Sequence, residues 1–477
     1  MVDVAERTSF PGLVRASAAT LAGGVDHDLV RELREQVARR LAPQLQASPA
    51  LDAGTRRELC RSLLAEALAQ RARERARAGL PAWDVATEFA VAEAVMAAVF
   101  GLGRLQPLVD DPGIENIEVN GCDQVWLSYA DGRTVPGPPV ADSDTELIEH
   151  LQQLAARAST SERTFSTAHP RLHLRLDDGS RLAAMAWTTP RPQVVIRRHR
   201  VRDVDLDDLI TLGTLDAVLV AFLRAALAAG KNIVVSGLQN AGKTTLIRAL
   251  ANEFHPAERF ATIEREYELH LHELPERHAR VVAMEAREGS AELDATGRRA
   301  GEVTLSELVT DALRLNLRRI IVGEVRGGEV LPMLEAMATG DGSLCTIHAR
   351  TAGRVIDRIV TLCMAAGVGI TEGFAYRLIA GSVDLVVHLH LLDETHLAGG
   401  RRHRYVSHVL ELGPVAETSR PSVTTVFAPG PDGRAVPTHR PACLTELIAA
   451  GLDPGLLDQR AGLWPRPLRR VGGEASW

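Results

Sequence analysis

Lysine is nearly absent from this 477-residue chain. Of its 54 basic residues only two are lysine, Lys231 and Lys243, and arginine carries the remaining positive charge. Aromatic residues are also scarce, at 4% of the sequence, and the formal net charge is -7. A chain without a bulk basic field or an aromatic-plus-basic groove lacks the usual features of a nucleic-acid-binding protein, so nucleic acid is not expected as a partner.

Disulfide and membrane-spanning patterns are missing as well. The five cysteines form no CxxC pair, which is typical of a reducing compartment rather than of a disulfide framework. No basic-then-apolar signal peptide is recognisable, and no apolar run is long enough to cross a bilayer as a helix. We therefore expect a cytoplasmic protein that reaches the membrane only through partners. The length allows two or three domains.

Changes in residue pattern along the chain predict four segments. Residues 1–100 begin as a loose leader and then show leucine and valine at helical spacing, which predicts an N-terminal helical region. Residues 101–202 contain short alternating strands around one helix and predict a small α+β domain. Residues 203–412 alternate strands with helices, so a mostly parallel α/β sheet is expected there. Residues 413–477 are rich in Pro, Gly and Arg and are interpreted as a C-terminal tail.

Residues 232–250, NIVVSGLQNAGKTTLIRAL, carry the clearest chemistry. A strand pattern leads into G-x-x-x-x-G-K-T and then into a helical pattern, which is the context of a phosphate-binding loop rather than of a chance glycine turn. Lys243 can reach the β- and γ-phosphates, and arginine would not replace its compact charge. Thr244 can ligate Mg²⁺. The predicted ATP-binding residues are Gly237, Leu238, Gln239, Asn240, Ala241, Gly242, Lys243, Thr244 and Thr245.

Glu324 is the first candidate for a carboxylate that holds Mg²⁺ or orients water. It follows the apolar residues 320–322 and Gly323, which places it at the carboxyl end of a buried strand, where ligands bind in open α/β sheets. A buried charge is costly unless it serves a ligand or a pair. The alternative is a salt bridge with Arg326.

Three further side chains are candidates for the same site. Glu264 also ends an apolar strand and Glu268 follows it by four residues, so either acid can complete a Mg²⁺ or water site, unless both are solvated loop acids. His348 ends a short strand after a glycine-rich turn. It can contact the γ-phosphate, although a single histidine is often only a core residue.

Three stretches, in this order, resemble the type II/type IV secretion traffic ATPases. They are GLQNAGKTT, RRIIVGEVRGGE and TGDGSLCTIHA. The CpaF-like branch, which drives Flp/Tad pilus assembly, is the most similar. PLVDDPGIENIEVNGCDQVW resembles the start of that family's N-terminal domain, and the likeness extends from about residue 101 to residue 412.

The resemblance implies a homohexameric ATPase with an N-terminal ring and a RecA-like C-terminal ring, acting on an inner-membrane platform protein with ATP and Mg²⁺. Glu324 matches the Walker B glutamate, and His348 matches the histidine box. Glu264 and Glu268 fall on the acidic box. Arg181 and Arg197 match arginines that approach the nucleotide from the N-terminal domain; the alternative for both is surface charge.

The sequence departs from the family pattern at two positions. Arg265 stands where the acidic box usually has an aspartate, and Gly340 is followed directly by Asp341 without an intervening histidine. Two other functions therefore remain open: a DNA-translocating or conjugative motor, and a nucleotide-responsive scaffold that turns over slowly.

Overall fold

The structure is a computed structural model that describes residues 25–48, 51–129, 132–157, 164–198, 203–287, 289, 293, 297–367, 369–415 and 420–471. The chain divides into two compact units, Met1–Arg200 and Val201–Trp477. Most of the predicted leader lies outside the described residues. The mixed α/β class with preceding helices is confirmed.

The first unit begins with three helices, α1 (His27–Ala47), α2 (Ala53–Arg77) and α3 (Val85–Phe100). Each helix follows an aspartate whose carboxylate accepts a hydrogen bond from a backbone N–H of the first turn, and this contact satisfies a donor that the helix itself leaves unpaired. Leucine and valine at helical spacing form the buried face between the three helices. The short helix α4 (Gln106–Asp110) leads into the rest of the unit.

A six-stranded antiparallel sheet and one long helix complete the first unit. In chain order these elements are β1 (Ile114–Asn120), β2 (Gln124–Tyr129), β3 (Thr134–Pro136), α5 (Asp144–Arg157), β4 (Arg171–Arg175), β5 (Arg181–Met185) and β6 (Gln193–Arg197). The strand order is β3-β2-β1-β6-β5-β4. Alternate residues of each strand join α5 in one core, so one face of the sheet is buried.

The second unit is built around a nine-stranded sheet. Its elements are α6 (Leu206–Thr211), α7 (Ala217–Ala228), β7 (Ile233–Gly237), α8 (Lys243–Ala251), β8 (Phe260–Glu264), β9 (Val281–Glu285), α9 (Leu305–Ala312), β10 (Arg319–Val325), α10 (Val330–Thr339), β11 (Leu344–His348), α11 (Val355–Ala366), α12 (Glu372–Ser382), β12 (Leu385–Asp393), β13 (Arg402–Val415), β14 (Pro421–Pro429), β15 (Ala435–Pro437) and α13 (Leu444–Ala449).

The sheet has the order β15-β14-β13-β12-β7-β11-β10-β8-β9. From β12 to β9 neighbouring strands are parallel, and β13, β14 and β15 are added antiparallel. Helices cover both faces, so the central strands are buried on both sides and consist almost entirely of apolar residues. This arrangement brings the carboxyl ends of β7, β11, β10 and β8 to one edge of the sheet.

Part of the predicted C-terminal tail belongs to this sheet. The predicted boundary after residue 412 falls inside β13, and β14 and β15 extend the same sheet. Val426 and Phe427 are fully buried in the core that also receives α7. The apolar pair Val426 and Phe427 indicates a strand here, and it lies in β14. The surrounding proline and glycine residues mark turns and the exposed edge of the sheet, so they conceal the rest of β14 and β15.

Within the described residues, no helix is both long enough and apolar enough to span a bilayer.

Candidate functional site

The loop between β7 and α8 has the backbone geometry of an anion cradle. Gly237 has φ of 153°, and a Cβ there would lie 2.6 Å from the carbonyl oxygen of Leu389, so only glycine fits. Gly242 is left-handed, with φ of 94°, and precedes α8 without a side-chain cap. The first N–H groups of α8 therefore need another partner, and a phosphate is a suitable one. Leu238, Gln239 and Asn240 form the exposed tip of the loop, whereas Ala241 is buried.

The ammonium group of Lys243 lies at the centre of this cradle. It donates to the carbonyl oxygens of Gly237, at 3.3 Å, and Leu238, at 2.8 Å. It also lies 3.2 Å from Nδ1 of His348. Lysine has only donors, so Nδ1 of His348 accepts this hydrogen bond and Nε2 carries the ring hydrogen. The strand register explains the contact, because His348 of β11 pairs with Gly237 of β7.

Glu324 lies on the other side of His348. Nε2 of His348 is 2.6 Å from Oε1 of Glu324, and Arg326 donates to the second carboxylate oxygen. Burial alone would raise the pKa of Glu324, but the hydrogen bonds from His348 and Arg326 lower it to about 2. The salt bridge with Arg326 that the sequence offered as an alternative role is therefore present. It coexists with the contact to the cradle through His348.

The two acids of the acidic box occupy different positions. Glu264 is buried, and its Oε1 accepts from the backbone N–H groups of Glu268, at 2.9 Å, and Leu269, at 3.0 Å, so it fixes the loop after β8. Its side chain packs over Gly323, where a Cβ would meet it at 2.9 Å. Glu268 instead faces the cradle, since the Thr244 hydroxyl donates to its Oε2 at 3.3 Å.

The oxygen atoms near Thr244 fit a magnesium ion that accompanies a nucleotide. The Thr244 hydroxyl and the Glu268 carboxylate are hard oxygen donors, and they are already in contact. No group of three or more His, Cys, Asp or Glu residues suited to a metal occurs among the residues described. A protein site with few ligands is what Mg²⁺ uses when phosphate oxygens and water supply the rest. The predicted ligand Glu324 makes its described contacts to His348 and Arg326 instead.

Arg181 and Arg197 lie in the first unit, where the structure brings them together. Arg181 begins β5, Arg197 ends β6, and the two residues are directly opposite in the antiparallel register. Both are partly exposed. Like charges opposite each other destabilise a strand pair by themselves, and an anion would offset this repulsion.

Two contacts of the cradle could not be found by sequence reasoning. Nε of Arg404, on β13, donates to the carbonyl oxygen of Asn240 at 2.8 Å. Nδ1 of His388, on β12, lies 2.9 Å from the hydroxyl oxygen of Ser236. Both come from strands far away in the sequence, and neither residue stands in a recognisable motif. Only the position of β12 beside β7 reveals them.

A glycine-rich loop between a buried parallel strand and a helix N-terminus, with acids on other strands of the same sheet, is the arrangement found in P-loop proteins. The family model "Type II/IV secretion system protein" matches residues 113–419. A putative conjugal transfer protein of Mycobacterium tuberculosis is 30% identical over 61% of this chain and 80% of its own length. The type IV secretion system protein PtlH of Bordetella pertussis is 29% identical over 64% of this chain and 93% of its own.

Solved structures give matches with little sequence identity. The VirB11 ATPase of Brucella suis has a TM-score of 0.33 and 26% identity, covering 67% of this chain and 96% of that one. The ATPase DotB of Legionella pneumophila has a TM-score of 0.45 and 19% identity, covering 66% and 81%. The match of the family model over most of the chain shows that this protein belongs to the type II/IV secretion system protein family. The family predicted from the three motifs is thereby confirmed.

Proposed function

We propose that this protein is a Mg²⁺-dependent ATPase that acts as the motor of a secretion or pilus-assembly machine. The observation that carries this proposal is the chain of contacts from Lys243 through His348 to Glu324. It connects the ammonium group of Lys243, which would bind the terminal phosphate, with the carboxylate of Glu324, which is suited to positioning water. Membership of the secretion family supports the same function.

Each residue of the cradle has a role in this proposal. Residues 237–245 bind ATP, with N–H groups of the loop and of α8 on the phosphates and Lys243 on the β- and γ-phosphates. Thr244 and Glu268 lie where they would hold Mg²⁺, which neutralises charge that develops on the phosphates. Glu324 orients the attacking water, and His348 relays the presence of the γ-phosphate to it. Glu264 supports the loop that carries Glu268.

The motor function needs more than one copy of the chain. We propose a homohexamer in which Arg181 and Arg197 face the anionic nucleotide, so that hydrolysis depends on closure. Their opposed positions on β5 and β6 support a role in binding an anion. Closure of the two domains around the nucleotide would move an inner-membrane platform protein. Binding to this partner would hold the ring at the cytoplasmic face of the membrane.

The finer assignment is to the CpaF-like branch and Flp/Tad pilus assembly, and it depends on the sequence motifs alone. A conjugative or DNA-translocating motor is the second candidate, because a relative carries the name of a conjugal transfer protein. The net charge of -7 opposes it, since a DNA motor needs a basic track. DNA-stimulated hydrolysis that falls with added salt would favour this second function.

The direct test is phosphate release by the purified protein with Mg²⁺ and ATP. We expect turnover by the wild type, and none above background for Lys243→Ala. Equal turnover by both would contradict the proposal. Absence of turnover in both proteins, together with nucleotide binding by the wild type, would identify a nucleotide-responsive scaffold. The replacement of the usual aspartate of the acidic box by Arg265 is consistent with that function. Mass measurement with and without ATP tests the hexamer.

A further inference from the structure

Arg404, on β13, links the antiparallel part of the nine-stranded sheet to the tip of the phosphate loop, residues 238–242 between β7 and α8. Its Nε donates to the carbonyl oxygen of Asn240 at 2.8 Å, across 164 positions of sequence. Its side chain also lies beside Gly242, where a Cβ would be 3.7 Å from Cδ of Arg404. The sheet makes this possible. Leu389 of β12 pairs with Gly237, and Leu391 of the same strand pairs with Arg404.

The peptide that follows Asn240 is held at both ends. Its carbonyl oxygen accepts from Arg404, and its N–H, on Ala241, donates to the carbonyl oxygen of Leu238 at 3.3 Å. Asn240 is left-handed, with φ of 62°, a conformation that costs energy for a residue with a Cβ and persists where contacts stabilise it. Arg404 is one such contact, because it fixes the carbonyl of this residue.

Two cations therefore orient three carbonyl groups of the loop. Lys243 binds those of Gly237 and Leu238, and Arg404 binds that of Asn240. A loop that binds phosphate must aim N–H groups at the anion and turn carbonyl groups elsewhere. Lys243 must transfer to the phosphates when ATP binds, so its hold on the carbonyl groups is temporary. Arg404 instead donates to a carbonyl oxygen at the loop tip, and a carbonyl oxygen does not bind phosphate, so this contact can persist when ATP binds.

We propose that Arg404 is a positioning residue for nucleotide binding, which holds the tip of the phosphate loop in its binding conformation through the Asn240 carbonyl. The proposal rests on the proposed function, since it takes residues 237–245 as the nucleotide site. The exposed tip would otherwise lose conformational freedom on binding, and a loop fixed beforehand avoids that cost. Arg404 thus determines nucleotide affinity without contact to the reacting atoms.

The test compares five proteins by two measurements that do not require hydrolysis. The proteins are the wild type, Arg404→Ala, Arg404→Lys, the matched control Arg402→Ala, and Lys243→Ala as the control for nucleotide binding. Arg402 lies on the same strand and has the same charge, but its Nε donates to Asp393 at 2.8 Å. The first measurement is the Kd of a fluorescent ADP analogue. The second is hydrogen exchange of a peptide covering residues 238–242 in protein without nucleotide.

We expect Arg404→Ala to weaken binding about tenfold, because one charged hydrogen bond to the loop is lost. We also expect it to speed exchange of the loop before any nucleotide is added. Arg404→Lys should restore part of both losses, and Arg402→Ala should match the wild type. The unfolding temperature of each variant, measured alongside, should stay within a few degrees of the wild-type value.

Three outcomes would overturn the inference. Binding by Arg404→Ala within twofold of the wild type is one. Weaker binding with unchanged exchange is the second, since it would mean direct contact with the nucleotide. An equal loss in Arg402→Ala is the third, since it would mean a general effect of charge. A wild type that binds no better than Lys243→Ala would instead refute the proposed function, and the exchange measurement would still decide on Arg404.

Discussion

Nε2 of His348 lies 2.6 Å from Oε1 of Glu324, and the opposite ring nitrogen of the same histidine lies 3.2 Å from Nζ of Lys243. The imidazole therefore joins the amine of Lys243 to the carboxylate of Glu324 on the next strand. A γ-phosphate that draws Lys243 away would remove the partner of Nδ1. The histidine, and with it the position of Glu324, would then respond to whether the cradle holds a triphosphate.

Glu324→Gln tests the acid in this relay. We expect the rate of hydrolysis to fall about a hundredfold, because the amide of glutamine cannot accept a proton from the attacking water. ATP binding should be unchanged. Phosphate release and the Kd of a fluorescent nucleotide measure the two effects. Glu335→Gln, on the exposed side of α10, is the matched control and should hydrolyse at the wild-type rate. Unimpaired turnover in Glu324→Gln would assign the catalytic acid to another residue.

The chain offers a matched pair of lysines for a charge-conserving test. Lys243→Arg keeps the charge but replaces the compact ammonium, so we expect at least a tenfold loss of nucleotide affinity. Lys231→Arg changes the only other lysine, which pairs with Glu446 and lies 3.8 Å from Asp384. It should bind as well as the wild type. Nucleotide titration calorimetry compares the three proteins, and equal affinity in all of them would show that the site does not require the compact ammonium group of Lys243.

Glu268 and the Thr244 hydroxyl are expected to hold the divalent ion. Glu268→Ala should weaken Mn²⁺ binding in the presence of ADP by about tenfold, since one carboxylate is lost from a site with few protein ligands. Electron paramagnetic resonance of Mn²⁺ measures this without hydrolysis. Glu266→Ala removes a neighbouring acid of the same loop as a control. If Glu266→Ala weakens Mn²⁺ binding as much as Glu268→Ala does, the effect comes from the loss of negative charge rather than from the loss of a metal ligand.

His388 makes stability depend on pH. Burial lowers its pKa to about 4, with the charges of His408, His390 and Lys243 adding to the effect. Its pKa in the unfolded chain is higher, about 6.5. The unfolded chain therefore binds the proton first, so the stabilisation is complete above pH 6.5 and is lost as the pH falls towards 4. At pH 5 the loss is about 2 kcal/mol for such a shift.

Urea unfolding of the wild type and His388→Asn at pH 7.5 and pH 5 measures the free energy of unfolding of each protein, and the difference between the two proteins is compared at the two pH values. The substitution has a cost of its own, which appears at pH 7.5. We expect the difference between the two proteins to shrink at pH 5, because asparagine does not take up a proton. A difference that stays the same at both values of pH would rule out titration of His388.

Phe427 tests whether the predicted tail is part of the core around the nine-stranded sheet. It is fully buried and packs edge-to-face on Phe222, with ring centroids 5.2 Å apart. Phe427→Ala should lower the free energy of unfolding by about 3–5 kcal/mol, because a large cavity is left in the core. Val423→Ala, at an exposed position of the same strand, should cost about 0.5 kcal/mol or less. A small effect at Phe427 would mean that β14 detaches from the sheet.

The sequence predicted the elements where one pattern dominated. The buried strand before Gly237 and the helix after Gly242 follow from the apolar run and the glycine spacing, and both lie at the expected residues. The alternating strands predicted for residues 101–202 are also present, and they include β1 and β2, which pair antiparallel. Glu324 and His348 were each expected near a strand end. The structure brings the two side chains together because parallel strands share their carboxyl edge.

Other features depend on strand order, which local pattern does not contain. Glu264 and Glu268 look alike in the sequence, yet one supports a loop and the other contacts Thr244, and only the path of the chain separates them. Arg404 reaches the loop, and His388 contacts Ser236 at the end of β7, because β12 lies beside β7 and β13 lies beside β12. Nothing in the spacing of these residues reveals that neighbourhood.

The near absence of lysine has a practical consequence. Of the two amines carried by side chains, that of Lys243 is in the cradle and that of Lys231 is held by Glu446 beyond the opposite end of β7. Acylating or reductive-methylation reagents thus have, apart from the α-amino group, two positions to modify. The one whose labelling is suppressed by nucleotide marks the cradle, so a single mass spectrum can follow occupancy of the site in the unaltered protein.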